Sequence, residues 1–553
     1  MSDLLPYPPL DPTTYDLIIV GTGVPSSILA AGASSSGSSV LHLDPNPFYG
    51  SHFASLSLPD LTSFLNSNSL SPPPSNTHDF LSVDLVNRSL YSSVEISTFE
   101  PETLQQHSRT FNIDLCGPRA VFCADESINL MLKSGSNSYV EFKSIDASFV
   151  GDSSGELRNV PDSRGAIFKD KSLTLLEKNQ LMKFFKLVQT HLASSSTEHD
   201  ETAVKVMSEE DMESPFVEFL SKMRLPPKIK SIILYGIAML DHDQDNTEET
   251  CEHVLKTKEG IDRLALYITS ISRFSNAHGA LMYPMYGQGE LPQAFCRRAA
   301  VKGCIYVLRM PVTALLLDKE TGGYKGVRLA SGQEIFSQKL ILDPCVNIGL
   351  ESLSSLTDQQ KETLRVLVPN RISSKEKIAR GICIIRGSVK ADVSNALVVY
   401  PPKTLFPEQL NAVRVLQLGS GLAVCPPDMH VLYFSTVCDN DDQGKTALLS
   451  AMSTLIREQV PENLQTDSVA ENDTAVTKPV VLWRALYMQE LVKGEFGGEI
   501  SSTSSPDGNL NYNEIVESAM KLYEQLMGNK ELFKEETENT AEEDDGDDVE
   551  IED

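Results

Sequence analysis

The stretch from residue 15 to residue 50 restricts the possible folds more than any other part of the chain. Leu17–Val20 is a wholly apolar run, which is typical of a strand buried on both faces of a parallel sheet. Gly21-Thr22-Gly23 follows at once and allows a tight turn into a helix, whose first turn accepts Pro25 because no N–H is needed there. Val40–Leu43 indicates a second strand. The stretch therefore predicts a β-α-β unit of the dinucleotide-binding type.

Two features of this unit bear on a cofactor. Asp44 ends the second strand 23 residues after Gly21, the spacing at which such folds present a carboxylate to a ribose hydroxyl. Gly21 and Gly23 match the first two glycines of G-x-G-x-x-G, but Ser26 stands in place of the third and narrows the space for a pyrophosphate. The pattern predicts the topology and leaves cofactor binding open.

Bulk properties exclude several classes of protein. The chain has 553 residues, of which 41% are hydrophobic, and no apolar run approaches the roughly 18 residues of a membrane span. A net charge of −29 argues against nucleic acid and against unaided binding to anionic membranes. Nine cysteines without C-x-x-C spacing favour reduced thiols over a disulfide framework. We therefore expect a cytosolic protein.

Changes in the hydrophobic period divide the chain into two folded units and a tail. Residues 162–278 carry apolar residues mostly at three- and four-residue intervals, which predicts an all-α unit. Residues 1–161 and 279–530 carry strand and turn patterns, so we expect one discontinuous α/β domain with the helical unit inserted into it. Residues 535–553 contain twelve acids and no base, and we expect 531–553 to form a disordered acidic tail.

One predicted helix of the inserted unit, residues 229–240, is apolar on nearly all sides. A helix of this kind is either covered on several sides as a core helix or partly exposed to receive a lipid or a partner. Ile229, Ile232 and Ile233 are our candidates for the exposed role.

Residues 241–252 follow the spacing of a calcium-binding EF-hand loop, although position six is Asn246 and position eight is Glu248. An acidic loop between helices is therefore the favoured interpretation. The candidate ligands are Asp241, Asp243, Asp245, Thr247, Glu249 and Glu252.

Other signatures of metal binding and catalysis are missing from the sequence. The ten histidines form no H-E-x-x-H and do not pair with cysteines at ligand spacing, so no zinc site is predicted. Neither G-x-S-x-G nor a phosphate-binding G-x-x-x-x-G-K-[ST] occurs. If the chain were an enzyme, a cofactor would have to supply its chemistry.

The most unusual stretch is 283–298, YPMYGQGELPQAFCRR, in which glycines flank Gln288 and precede a predicted helix. Fixed polar groups beside a forked cation suit recognition of another protein's backbone and carboxylates. A substrate-binding surface and a tightly turned connection are the alternatives.

Four segments in order, VGTGVPSSILAA, HLDPNPFYG, YPMYGQGELPQAFCRRAA and VVLWRALY, resemble the Rab escort protein and Rab GDP-dissociation inhibitor family. The resemblance runs from about Tyr15 to Leu526, and YGQGELPQ is its most specific motif. Pro25 and Gln288 are similar to the escort branch of the family. A recycling inhibitor and, more remotely, an FAD-dependent oxidase remain the alternatives.

The resemblance implies a flavoprotein-like α/β domain that binds no flavin, with Gly21, Gly23, Ser26 and Asp44 as remnants of the cofactor site. It also implies partners: GDP-bound Rab GTPases, the two-subunit Rab geranylgeranyltransferase and the isoprenoid of the prenylated Rab. The helical unit would meet the transferase and the lipid. The Rab-binding platform implied by the motifs comprises Tyr49, Tyr286, Glu290, Gln293, Arg297 and Arg298.

The chain departs from the family pattern in three places. Ser26 replaces the family's usual glutamate, Ser51-His52-Phe53 replaces a glycine-led stretch after NPFYG, and the segment 275–283 is slightly longer. The sequence therefore leaves open which Rabs are bound and whether their prenylated and unprenylated forms are distinguished.

Overall fold

The computed structural model describes residues 8–67, 80–195, 207–245, 254–271, 273–349, 356–368, 373–458, 478–528 and 530–533. Its α-helices are α1 (Val24–Ser35), α2 (Leu58–Asn66), α3 (Pro101–His107), α4 (Glu126–Ser134), α5 (Arg164–Lys169), α6 (Leu175–Ser195), α7 (Glu209–Glu213), α8 (Phe216–Lys222), α9 (Pro227–Ser231), α10 (Thr257–Ser270), α11 (Glu290–Val301), α12 (Asp358–Leu367), α13 (Asp441–Leu455) and α14 (Asn513–Met527). Shorter turns of 3-10 helix lie at Ser51–Phe53, Ser136–Tyr139 and Ser420–Leu422, and Ile232–Ile237 is π-helical.

The strands of the first half are β1 (Thr14–Val20), β2 (Val40–Asp44), β3 (Ser55–Leu56), β4 (Leu81–Asn87), β5 (Tyr91–Thr98), β6 (Ile113–Asp114), β7 (Val121–Phe122), β8 (Phe142–Ser144), β9 (Ala147–Gly151), β10 (Leu157–Asn159) and β11 (Leu281–Pro284). Those of the second half are β12 (Ile305–Leu308), β13 (Val312–Leu317), β14 (Tyr324–Leu329), β15 (Glu334–Leu342), β16 (Val346–Ile348), β17 (Ser373–Arg386), β18 (Ala396–Tyr400), β19 (Val413–Gly419), β20 (Met429–Cys438), β21 (Val480–Val492), β22 (Phe496–Gly497) and β23 (Ile500–Ser502).

The largest sheet contains the predicted β-α-β unit. β1 pairs in parallel with β2 on one side and β15 on the other, and β12 extends the parallel part beyond β2. The order is β12-β2-β1-β15-β14-β13-β4-β16, with β23 also beside β15. α1 starts at Val24, directly after the glycine turn, and Pro25 lies in its first turn. The predicted topology is therefore confirmed.

Three further sheets are present in the described part of the chain, the smallest of which is the antiparallel pair β3-β6. Eight strands run in the order β10-β9-β18-β19-β20-β17-β21-β5, and α13 packs on this sheet through its apolar side. A three-stranded sheet, β7-β11-β8, holds the strand that leads into the YGQGE sequence. The predicted α/β fold class with several sheets is confirmed, since strands from both ends of the chain share these sheets.

The segment between residues 164 and 270 consists of α5 to α10 and the π-helix, without strands among its described residues. Ile229, Ile232 and Ile233 lie here and are at most 1% exposed. The π-helix is also covered at Gly236, where an added Cβ would lie 2.6 Å from the Val160 side chain. The prediction that these isoleucines face a lipid or the transferase is therefore wrong, and they are core residues.

The folded part of the chain continues past the predicted start of the acidic tail. Leu532 and Phe533 are buried, and Phe533 stacks on Phe295 with ring centroids 6.5 Å apart. A Cβ on Gly32 in α1 would overlap the Leu532 side chain, so the absence of a side chain at this position lets Leu532 pack against α1. Residues 534–553, which hold most of the predicted tail, lie outside the described residues.

Candidate functional site

The loop between β11 and α11, Met285–Gly289, is called the motif loop because it carries the start of YGQGE. Tyr286 and Gly287 both have positive φ, 69° and 111°. A positive φ is costly for a residue with a side chain and persists only where the surroundings hold it. The Tyr286 N–H donates to the Leu422 carbonyl at 2.9 Å, and its side chain is 54% exposed. The loop thus presents an aromatic ring to solvent from a fixed backbone.

The two glycines of the motif loop allow close contact with Ser55. A Cβ on Gly287 would overlap Ser55 Oγ, and a Cβ on Gly289 would lie 2.7 Å from Ser55 N. The Gly289 N–H donates to Ser55 Oγ at 2.8 Å, and that hydroxyl donates to Asp114 Oδ1 at 2.6 Å. The glycines are therefore required by packing against β3.

Asp114 lies buried beneath the motif loop and accepts hydrogen bonds from several of its neighbours. Its Oδ1 accepts from the Gln288 N–H at 3.0 Å, and its Oδ2 accepts from the Tyr283 hydroxyl at 2.5 Å. Burial raises the pKa of Asp114 to about 6, against the opposing effect of these hydrogen bonds. The carboxylate is a support for the loop, since it is not exposed to solvent.

Gln288, the centre of the motif, is also fully buried. Its Nε2 donates to the Arg119 carbonyl at 2.8 Å, and its Oε1 accepts from the Tyr512 hydroxyl at 2.6 Å. Arg119 in turn donates to the carbonyls of Asn511 and Asp507, both at 2.8 Å. Gln288 therefore ties the motif loop to the segment before α14 and has no surface to offer a partner.

One face of α11 continues the exposed surface of Tyr286. Glu290, Gln293 and Arg297 are spaced by three and four residues, which sets them on the same side of a helix. Gln293 donates to Glu290 Oε1 at 3.3 Å, and the Arg297 guanidinium lies 4.8 Å from the centre of the Tyr139 ring. Burial raises the pKa of the half-buried Glu290. Tyr286, Glu290, Gln293 and Arg297 are called the platform below.

Tyr49, the next predicted platform residue, lies against α11. Its ring packs edge-on to Tyr306 with centroids 5.7 Å apart. Burial, together with the nearby thiols of Cys296 and Cys304, raises the pKa of Tyr49. Because Cys296 belongs to α11, the structure brings Tyr49 next to the helix that carries the platform.

Arg298, in contrast, faces away from the platform. It lines a polar cavity of about 1000 Å³ together with Lys133, Lys302 and Lys530. Gly135, at the end of α4, lies beside its guanidinium. Arg298 therefore lies on a different side of α11 from Arg297, because consecutive helical residues differ in direction by about 100°, and its part in Rab binding stays a prediction.

The predicted remnant of a cofactor site is a closed polar network. Asp44 Oδ2 accepts from the Thr22 N–H at 2.8 Å, the Thr22 hydroxyl at 2.6 Å and the Ser51 hydroxyl at 2.8 Å. Its Oδ1 accepts from the Asn46 N–H at 2.8 Å. Asp44 is fully buried, so no acceptor of this carboxylate faces outward to a ribose. Ser26, in the first turn of α1, is buried too.

The residues at the glycine turn do not fit a dinucleotide. A Cβ on Gly21 would overlap the Asp343 carboxylate, which therefore lies against the turn where a pyrophosphate would bind. Burial and the charge of Asp343 both raise the pKa of Asp44, as expected for two neighbouring acids. A pyrophosphate would add further negative charge beside these two acids, so the residues at the turn do not suit such a cofactor.

The acidic residues after the π-helix have partners within the chain. Arg414 pairs with Asp241 at 2.7 Å, and Lys403 pairs with Asp243. Residues 246–253 lie outside the described residues, including Thr247, Glu249 and Glu252. The structure therefore gives two of the predicted calcium ligands a different role and leaves the others untested.

The residues that support the motif loop were missed by sequence reasoning. The four residues are Ser55, Asp114, Arg119 and Tyr512, and each lies at least 169 positions from its partner in the motif. One signal was present: an acid and a base interrupt the otherwise apolar or small run 111–122, FNIDLCGPRAVF. A buried charge of this kind requires a partner, which marks a structural network.

Among the described residues, no helix combines the length and the apolar character needed to cross a membrane.

Comparison with known proteins identifies the family of this chain. The family model for GDP dissociation inhibitor matches residues 11–99 and 79–462. Rab escort protein 1 of Arabidopsis thaliana is 82% identical over 100% of both chains, and Rab proteins geranylgeranyltransferase component A 1 of Homo sapiens is 24% identical over 94% of this chain and 92% of that protein. The crystal structure of Rab GDI from Plasmodium falciparum has the same fold, with a TM-score of 0.65 at 18% identity over 94% of this chain and 99% of that one. The chain belongs to the GDP dissociation inhibitor family.

Proposed function

We propose that this chain is a Rab escort protein, which binds GDP-bound Rab GTPases and presents them to Rab geranylgeranyltransferase. The transferase then attaches two geranylgeranyl groups to the Rab C-terminus, and the escort protein carries the product to a membrane. The names of the relatives at 82% and 24% identity support this proposal. The residues Pro25 and Gln288, which are similar to the escort branch, support it as well.

The observation that carries the proposal is an exposed platform on a rigid support. Tyr286 and Arg297 are side chains of the types that dominate protein interfaces. The buried Gln288 and Asp114 hold the backbone beneath them, so little ordering entropy remains to be lost on binding. Such a surface suits tight recognition of one folded partner. Tyr49 is included in the proposed Rab contact because it lies beside α11.

The helical unit offers a separate place for the isoprenoid. A cavity of about 320 Å³ lies between α5, α6 and α10. Covering the lipid is strongly favourable, because each CH₂ group removed from water contributes about 0.8 kcal/mol. The apolar side chains that line this cavity are Ile167, Met182, Phe185, Ile268 and Ile271.

An exposed apolar patch on the same unit suits the transferase. Phe168, Leu175 and Leu176 are 59%, 79% and 68% exposed, and they are called the apolar patch. Lys178 donates to the Phe168 carbonyl at 2.8 Å, which joins α5 to the start of α6. The Thr174 hydroxyl accepts from the N–H three residues on, so the first turn of α6 is capped. Large apolar side chains exposed on an ordered turn favour a protein partner.

In this proposal the chain is an accessory component rather than the catalyst. Prenyl transfer belongs to the transferase, and this chain contributes binding surfaces for the Rab, the enzyme and the lipid. The cycle would run in the cytosol, with membrane contact only during delivery.

A reconstituted prenylation assay tests the proposal. Purified Rab, transferase and geranylgeranyl donor are incubated with and without this chain, and lipid incorporation is measured. We expect incorporation to depend on the chain. Equal incorporation without it would exclude the escort function.

The second candidate is an inhibitor that recycles prenylated Rabs, which the family model and the fold favour equally. Extraction of prenylated Rab from membranes without any support for new prenylation would identify that function.

A further inference from the structure

We propose that His52, Asp343 and Cys345 form a binding site for a divalent transition metal ion, with zinc as the best-suited occupant. The ligand-type atoms of the three side chains all lie within 4.8 Å of one another. His52 comes from the 3-10 turn after β2, and the other two residues follow β15 directly. An imidazole nitrogen, a carboxylate oxygen and a thiolate are the donor types found in zinc sites.

The separation between His52 and Asp343 already matches a zinc site. Nε2 of His52 lies 3.2 Å from Oδ1 of Asp343. With zinc–ligand bonds of about 2.0–2.1 Å, two ligands of a tetrahedral ion are about 3.3 Å apart. The Cys345 N–H donates to Asp343 Oδ1 at 3.0 Å, so one turn holds both residues. To bind the same ion, the Cys345 sulfur would have to move about 1 Å closer to the other two donor atoms, and a side-chain rotation can supply that movement.

A neighbouring tyrosine orients the imidazole for metal binding. Nδ1 of His52 lies 3.1 Å from the hydroxyl of Tyr91, and the two rings are in contact with centroids 5.7 Å apart. When Nδ1 carries the proton and donates to Tyr91, the lone pair of Nε2 is directed toward Asp343. Histidine ligands of metals usually have such a partner on their second nitrogen, which fixes the tautomer.

A metal-free ion pair between His52 and Asp343 is the competing interpretation. A buried pair of this kind must overcome the desolvation of both charges, and the Cys345 thiol adds a hydrogen bond to the Asp343 carboxylate within it. A divalent ion would replace the protons of this group, bind the three donor atoms together and neutralise a carboxylate and a thiolate at once. Cys345 is only partly buried, so an ion can reach its sulfur from solvent.

His52 lies in the stretch where the chain departs from the glycine-led pattern of its family, three residues after Tyr49. A bound ion would fasten this stretch to the end of β15, beside the closed remnant of the cofactor site. The sequence alone gave no sign of the site, because His52 and Asp343 are 291 residues apart.

Zinc and cobalt binding to the purified full chain test the site. The protein is stripped with a chelator, and Zn²⁺ is titrated against a chromophoric competitor, with metal content measured by mass spectrometry. Co²⁺ is then added as a spectroscopic substitute, since a cobalt–thiolate charge-transfer band reports the cysteine directly. We expect one Zn²⁺ per chain, a higher thermal midpoint with metal, and a tetrahedral cobalt spectrum.

The variants His52→Ala and Cys345→Ser should each weaken Zn²⁺ binding by at least about tenfold and remove the thiolate band. Cys438→Ser, which alters a buried cysteine on β20, should leave both unchanged. If His52→Ala fails to fold, Cys345→Ser remains informative because this residue is partly exposed. Absence of stoichiometric binding, or equal binding by wild type and Cys345→Ser, would overturn the proposal in favour of the ion pair.

Discussion

The hydroxyl of Tyr512 donates to Oε1 of Gln288 at 2.6 Å, which connects the start of the last helix to the centre of the motif loop. The two residues are 224 positions apart in the sequence. The hydrogen bond gives the buried Gln288 a structural role between the two glycines of the motif loop. The platform is therefore supported by a residue at the start of α14.

Tyr512→Phe should loosen the motif loop. The substitution leaves Oε1 of a buried amide without its donor, which costs about 1–3 kcal/mol of unfolding free energy. We expect a lower thermal midpoint and weaker Rab binding in a titration calorimetry experiment. Tyr523→Phe is the matched control, because this tyrosine lies in α14 and its hydroxyl makes only long contacts of 3.4 and 3.5 Å. Equal effects of the two substitutions would contradict the role given to Tyr512.

Arg297→Ala should weaken Rab binding without unfolding the protein. The side chain is exposed and stacks on Tyr139, so its loss leaves no cavity. Interface arginines of this kind contribute about 1–2 kcal/mol, and we therefore expect a tenfold-scale increase in Kd. Arg297→Lys should recover only part of the affinity, because lysine lacks the planar fork.

Lys302→Ala, at the end of the same helix and away from the platform, is the control. An unchanged Kd for Arg297→Ala would remove this residue from the proposed Rab contact.

The double substitution Leu175→Ser and Leu176→Ser should weaken recruitment of the transferase. Both side chains are mostly exposed, so the thermal midpoint should hardly change, whereas the apolar area available to a partner falls. We expect about tenfold weaker binding of the transferase to the chain in complex with Rab, measured by analytical ultracentrifugation, with Rab affinity preserved.

Leu410→Ser provides the control for the apolar patch, since it is an exposed leucine outside the helical unit. Transferase binding that falls equally in both proteins would indicate a general surface effect. Binding that falls in neither would place the transferase elsewhere.

Local sequence signals predicted the part of the fold that local interactions determine. The β-α-β unit is one example, because its apolar strands, its glycine turn and Pro25 all act within a few residues of one another. The same holds for the exposed face of α11, where the spacing of Glu290, Gln293 and Arg297 follows from helical geometry alone.

Long-range packing decided the features that the sequence did not reveal. The helix that contains Ile232 is apolar on nearly all sides, and this pattern is the same in a core helix and in a lipid-binding helix. Only the strands and helices that cover Ile232 show that it belongs to the core. Arg298 follows Arg297 directly, and helical geometry alone turns it to another side, but the residues it meets there depend on where α4 ends. The support beneath the motif loop and the proposed metal site both join residues from distant parts of the chain, which no periodicity within one segment can indicate.

Asp125 makes the stability of the protein depend on pH in a predictable direction. This buried N-cap of α4 accepts from the Ser127 N–H at 2.9 Å, and burial raises the pKa of Asp125 to about 6, above its unfolded value of about 3.9. Between about pH 4 and pH 6 the folded chain therefore holds a proton that the unfolded chain has released, so the unfolding free energy falls as pH rises. Asp125→Asn keeps an equally good cap without the titration. The unfolding free energy of the wild type minus that of the variant, measured by urea unfolding, should fall by about 2 kcal/mol from pH 4 to pH 7. For Asp318→Asn the pH dependence should be opposite, because backbone hydrogen bonds from Thr321 and Glu320 lower the pKa of Asp318. Below about pH 4, the unfolding free energy of the wild type minus that of this variant should rise as pH rises. A pH-independent difference for Asp125→Asn would mean that this carboxyl titrates normally in the folded protein.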